Sequence, residues 1–144
     1  MSHVTTIEVS DTYDIPSLRQ MCKDMGWEFL EGKQNYVWYG SHMGDYPIPE
    51  GFTKEQMGSC EHAIKIPGAN YEIGVARNNK GELKLLWDFW GSGGLQQKLG
   101  KDAGLLKQAY TIAKGKVSAR KHGHFFKTIK SPRGDAWKRL LVEV

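Results

Sequence analysis

Long apolar runs are missing from this chain of 144 residues, and so are most of the patterns by which a sequence declares a chemistry. No stretch approaches the ~18 apolar residues of a membrane-spanning helix, and Met1-Ser2-His3-Val4 has neither the basic flank nor the apolar run of a secretory signal. The expectation is a cytoplasmic protein with no membrane partner. Cysteine is scarce: Cys22 and Cys60 are the only two, too few for a disulfide framework, and Cys22 falls in a helical pattern where a free thiol packs as a small apolar group. Phosphate-loop, Gly-x-Gly-x-x-Gly and Gly-x-Ser-x-Gly patterns are all absent, which removes the common nucleotide and nucleophile signatures. Cys60-Glu61-His62 and His122-Gly123-His124 each offer two ligands, yet neither has the spacing of a zinc site. No metal and no cofactor is expected.

What the chain does contain is bulk and an uneven charge. Apolar residues make up 40% and charged residues 25%, with five Trp, six Tyr and five Phe, enough to offset the entropy of ordering one core. The length suits a single domain over 1–144. Positions 1–97 carry eight Lys or Arg against thirteen Asp or Glu, a net of −5, whereas positions 98–144 carry twelve against three, a net of +9. A segment this basic favours a polyanion, either nucleic acid or an acidic protein face, although solvated lysine faces are common.

Hydrophobic spacing orders the elements. Residues 3–9 alternate as a strand; residues 11–14 supply turn and cap chemistry before Pro16, and Ile15, Leu18, Cys22 and Met25 recur on one helical face that Gly26 closes. Residues 27–30 and 36–39 read as short strands, and 40–58, with Pro47, Pro49 and four glycines, as a long exposed excursion. Strand character resumes at 62–66. Residues 71–76 and 83–89 flank Asn78-Asn79-Lys80-Gly81 as a hairpin, with Leu83, Leu85, Trp87 and Phe89 on its core face. Trp90-Gly91-Ser92-Gly93-Gly94 reads as a hinge rather than a phosphate-binding loop, because it lacks the lysine and hydroxyl positions.

From Asp102, read as an N-cap, a basic amphipathic helix runs to Gly123. Its apolar stripe is Leu105, Ala109, Ile112, Ala113 and Val117, widened by Leu106 and Tyr110, while Lys107, Lys114 and Lys121 repeat every seven residues on another face. Two strands, 124–129 and 137–142, close the chain around the turn at 131–135. Two helices set against a run of strands predict an α+β fold, a mainly antiparallel sheet with both helices packed on one face.

The opening Met1-Ser2-His3, the strand Tyr71-Glu72-Ile73-Gly74, the strand end Asp88-Phe89-Trp90-Gly91 and the Ala109-Tyr110 helix together resemble a family of short uncharacterised proteins of plastids, cyanobacteria and phages, catalogued as a plastid hypothetical reading frame. Val4 stands where that family usually has an aromatic residue, and 40–58 looks inserted. The resemblance supports the α+β fold, implies no activity, and marks His3, Asp88 and Trp90 as a possible motif site.

Three classes of function stay open. The first is a small non-catalytic binding protein that engages nucleic acid or an acidic protein through Lys114, Arg120, Lys121, Lys127, Lys130 and Arg133, provided the helix end and the last hairpin lie side by side. The second is a phage-type accessory module that inhibits or redirects a host protein complex through 40–58 and exposed aromatics. The third is a small-molecule or nucleotide-binding enzyme, which requires a cleft around His3, Asp88 and Trp90.

Overall fold

Aspartate, proline and glycine punctuate the first helix much as their chemistry predicts. In the computed structural model, which describes residues 3–9, 12–40, 47–123, 125–130 and 138–143, the last two segments by backbone alone, α1 covers Ile15–Met25. The Asp14 side chain accepts from the Ser17 N–H at 2.8 Å, and Gly26, at φ 73°, ends the helix in the left-handed conformation that glycine adopts without steric cost. Leu18, Met21 and Cys22 are buried on its inner face.

Five strands form one antiparallel sheet in the order β1-β5-β4-β3-β2: β1 Val4–Thr6, β2 Glu28–Glu31, β3 His62–Lys65, β4 Ile73–Arg77 and β5 Leu83–Asp88. The predicted hairpin is β4-β5, with Gly74 opposite Leu86 and Arg77 opposite Leu83. Period-two alternation divides β5 between two cores. Leu83, Leu85 and Trp87 join Ile64, Ile73 and Val75 under α1 and the long helix α3, Gly104–Lys121; Leu86 joins Val4, Ala63 and Ala76 on the opposite face.

That opposite face corrects the reading of 40–58 as an exposed excursion. Tyr36 and Met57 are buried there, with Trp38, Ile48, Phe52 and Cys60 packed around them. The connection from β2 to β3 thus covers the face that the helices leave bare, because one apolar face of a sheet needs a cover wherever it comes from. Residues 41–46 lie outside the described residues. Residues 36–39 are also not a strand. They form a strap: Tyr36 N–H donates to Gly58 O at 3.0 Å, Glu72 N–H to Val37 O at 2.7 Å, and Val37 N–H to the Glu72 carboxylate at 3.0 Å.

Trp90-Gly91-Ser92-Gly93-Gly94 is a packed 3-10 turn over Gly91–Gly93 rather than a hinge. The Asn70 and Tyr71 N–H groups donate to Gly93 O at 2.7 and 3.0 Å, and a Cβ on Gly93 would stand 2.0 Å from the Tyr71 ring. A short helix not foreseen from sequence, α2 Leu95–Leu99, follows and buries both of its leucines. Asp102 is no N-cap: it and Ala103 take left-handed φ of 55° and 56° to turn the chain into α3, Gly104–Lys121, whose N-cap position is Ala103. The buried residues of α3 are Leu106, Ala109, Tyr110, Ala113 and Ala119, so Ala109 and Ala113 of the expected stripe hold, flanking Leu106 and Tyr110 are fully part of it, and Leu105, Ile112 and Val117 are only half-buried.

Beyond α3, β6 Phe125–Lys130 and β7 Lys138–Glu143 pair with each other, from Phe125 opposite Glu143 to Lys130 opposite Lys138. They form a separate two-stranded sheet that packs on α3. The whole is an α+β domain, and no helix among the described residues is long and apolar enough to cross a membrane.

Candidate functional site

An α-helix rises 1.5 Å per residue, so lysines seven apart recur about every 10 Å near one face. Lys107, Lys114 and Lys121 form such a row along α3; Lys114 and Lys121 are exposed and Lys107 half-buried. Arg120, another of the sequence candidates, has a second role. Its guanidinium donates to Gln20 Oε1 of α1, and Gln20 Nε2 in turn donates to Asp24 Oδ1 at 2.7 Å. Lys116 Nζ pairs with Asp24 Oδ2 at 3.0 Å. These two cations therefore tie α3 to α1, leaving the row at 107, 114 and 121 as the helix's outward positive charge.

Lys127 and Lys130 lie on β6, where backbone register sets them opposite Leu141 and Lys138. Both strands of the hairpin pack against α3. Arg133 lies outside the described residues.

His3, Asp88 and Trp90 are brought together as well, in a different arrangement. Asp88 is fully buried at the end of β5. Its Oδ1 accepts from the His3 and Trp90 N–H groups at 3.0 and 3.1 Å, and its Oδ2 from the Tyr39 N–H at 3.2 Å. The His3 ring stacks on Trp90 at 5.2 Å with planes 11° apart and tilts against Phe89. Both carboxylate oxygens are committed to main-chain donors, so the carboxylate fastens the start of β1, the end of β5 and the strap at one point. Tyr39 and Gln20 were absent from the sequence candidates. Their bonds span 49 and 100 residues, a separation that leaves no local pattern.

The two thiols are free and belong to different cores, Cys22 under the helices and Cys60 beneath the strap. Burial pushes Cys22 up to about 12 and Cys60 up to about 11, against an ordinary value near 9. Cys60 Sγ donates to Lys33 O at 3.0 Å, and His62 Nδ1 accepts from the Gly32 N–H at 2.9 Å. No group of three or more metal-ligating side chains occurs among the described residues.

Fold and site together define a small α+β domain whose last helix, α3, carries the lysine row and packs against the terminal hairpin. No family model, curated protein or solved structure matches the chain.

Proposed function

We propose that this protein is a non-catalytic binding protein that engages an acidic partner, foremost a nucleic-acid strand, through α3 and the hairpin packed on it. The observation that carries this reading is the placement of the Lys107, Lys114 and Lys121 row on the same helix against which both basic terminal strands pack. Charge of one sign gathered on adjoining elements raises the local concentration of polyanions and releases counterions when phosphates bind. The ties of Lys116 and Arg120 to α1 hold the helix in place beneath that surface.

The test is retention of the full chain on single-stranded polynucleotide across a salt series. Affinity is expected to fall log-linearly with salt, with a slope of about −0.7 for each phosphate neutralised. Lys114→Ala with Lys121→Ala should flatten that slope by about 1.4, two contacts' worth. Retention that does not weaken with salt would overturn the electrostatic basis. A stoichiometric protein partner that survives nuclease treatment in a pull-down would instead favour an acidic protein face, the accessory-module reading.

A further inference from the structure

A cavity of about 450 Å3 opens beside β1, the edge strand of the sheet, between it and the start of α3. That volume falls within the ~300–1,000 Å3 of small-ligand sites. Its walls combine three chemistries. Half-buried Phe89, backed by the core residue Trp87 at 5.6 Å, supplies an aromatic side, Lys101 and Lys107 two cations, and Glu8 and Asp102 two carboxylates, with Thr5 and Gln96 completing the rim. Among the described residues, neither lysine has an ion-pair or side-chain hydrogen-bond partner. Asp102 is set at this wall by a left-handed turn that non-glycine residues seldom adopt, and conformations of that kind gather at ligand sites.

We propose that this cavity binds a mononucleotide. With two cations and two carboxylates the lining is formally neutral; Glu8 already accepts from the Thr6 hydroxyl, so a simple anion leaves Asp102 unanswered and a simple cation leaves the lysines unanswered. A nucleotide answers each group. Its phosphate takes Lys101 and Lys107, its ribose hydroxyls donate to Asp102 and Glu8, and its base lies against the aromatic side, where stacking tolerates any base because every base has a π-face. The adjoining cleft of about 360 Å3 shares Lys101 but is otherwise lined by residues such as Leu99, Gly100 and Leu105, with no carboxylate for a sugar and no ring for a base. The proposal goes beyond polynucleotide binding on α3. It shares Lys107 with the lysine row but concerns the opening beside β1, and is read with a ligand too short to follow that row.

The experiment is titration of 5′-AMP into the full chain, followed by calorimetry and by backbone amide NMR. Saturable binding is expected, with the largest shifts at residues 5–8 and 101–107. Adenosine and inorganic phosphate should each bind at least tenfold more weakly than AMP, since each satisfies only part of the lining. Lys101→Ala with Lys107→Ala should cost at least tenfold. Asp102→Asn, which suits the left-handed backbone as well as aspartate does, should cost AMP severalfold and narrow its advantage over 2′-deoxy-AMP. Absence of shifts at 5–8 and 101–107, equal affinity for adenosine, or unchanged AMP affinity in a folded double-lysine variant would each overturn the proposal. So would saturation of the same residues by a short acidic peptide with no response to AMP. Loss of polynucleotide retention on substituting Lys114 and Lys121 bears on the α3 surface alone and leaves this result to stand or fall separately.

Discussion

The ring of Tyr36 fills the space above Gly74 that a side chain would occupy: a Cβ there would come within 2.3 Å of Tyr36 Cδ1. Gly74 sits in β4 at negative φ, so its need for glycine is one of room and not of backbone conformation. Tyr36 carries the strap, which makes this one contact the seat of the cover over the sheet's second face.

Gly74→Ala is therefore expected to lose about 1–3 kcal/mol, the usual cost of forcing extra volume into a packed core. The companion change runs the other way. The Tyr36 hydroxyl is buried without a hydrogen-bond partner among the described residues, and an unsatisfied buried hydroxyl costs about 1–3 kcal/mol. Tyr36→Phe should leave stability unchanged or raise it by about 1 kcal/mol. Urea unfolding of the two single variants checks both signs, and a destabilised Tyr36→Phe would show that the hydroxyl has a partner.

Asp88 offers a sharper loss. Asp88→Asn keeps the shape but turns one acceptor oxygen into an amide donor facing a main-chain N–H, since both oxygens are already accepting. Hydrogen bonds to a charged group contribute about 1.5–3 kcal/mol each, so a loss of about 2–4 kcal/mol is expected. Amide exchange should locate it: protection should fall together at His3, Tyr39 and Trp90. Faster exchange at only one of the three would break the single-anchor account.

Much of this arrangement was legible in the sequence where the signal is local. Asp14, Pro16 and Gly26 bound α1, and Asn78 to Gly81 turn the β4-β5 hairpin, because caps and turns are decided within four or five residues. The alternation of Leu83, Leu85 and Trp87 assigned the correct core face. What escaped was decided by partners far along the chain. Residues 36–39 have the composition of a strand, yet Glu72 and Asp88 take their main-chain donors and turn them into a strap. The glycines of residues 91–94 looked like a hinge because Tyr71, which packs on Gly93, lies about twenty residues earlier. Composition alone separated the basic third from the rest, and could not tell that Lys116 and Arg120 face α1.

The first helix should be sensitive to its cap. The Asp14 carboxylate accepts from Ser17 N–H at 2.8 Å, and the neighbouring Asp14 N–H donates to the hydroxyl of Tyr110 at 3.2 Å, joining α1's start to α3. Asp14→Ala should cost about 1–2 kcal/mol, within the range for N-cap removal. Asp14→Ser or Asp14→Asn should restore most of it, since both accept the same N–H. Thermal unfolding of the three variants separates a cap effect from a general effect of charge, which neither neutral residue would rescue.

The two thiols predict a pH dependence with a defined sign. Their folded values are raised by burial, to about 11 for Cys60 and about 12 for Cys22, while the unfolded chain releases these protons near 9. The unfolded state therefore holds fewer protons above pH ~9, and stability falls with rising pH by up to about 1.4 kcal/mol per unit per thiol. The contribution is fully present below pH ~9; the Cys60 part is lost as pH rises through its folded value near 11. Tyr13 and Tyr36 are raised for the same reason and add their share at higher pH. Comparison with Cys60→Ala isolates one thiol: its stability difference from the parent should shrink between pH ~9 and ~11. Iodoacetamide gives an independent reading, because the thiolate is the reactive form. Half-buried Cys60 should be labelled slowly at pH ~8, at a rate that rises about tenfold per pH unit, with buried Cys22 labelled only on unfolding. A Cys60 labelling rate that levels off near pH 9 would mean that its thiol ionises as in an open chain, and that the strap does not cover it.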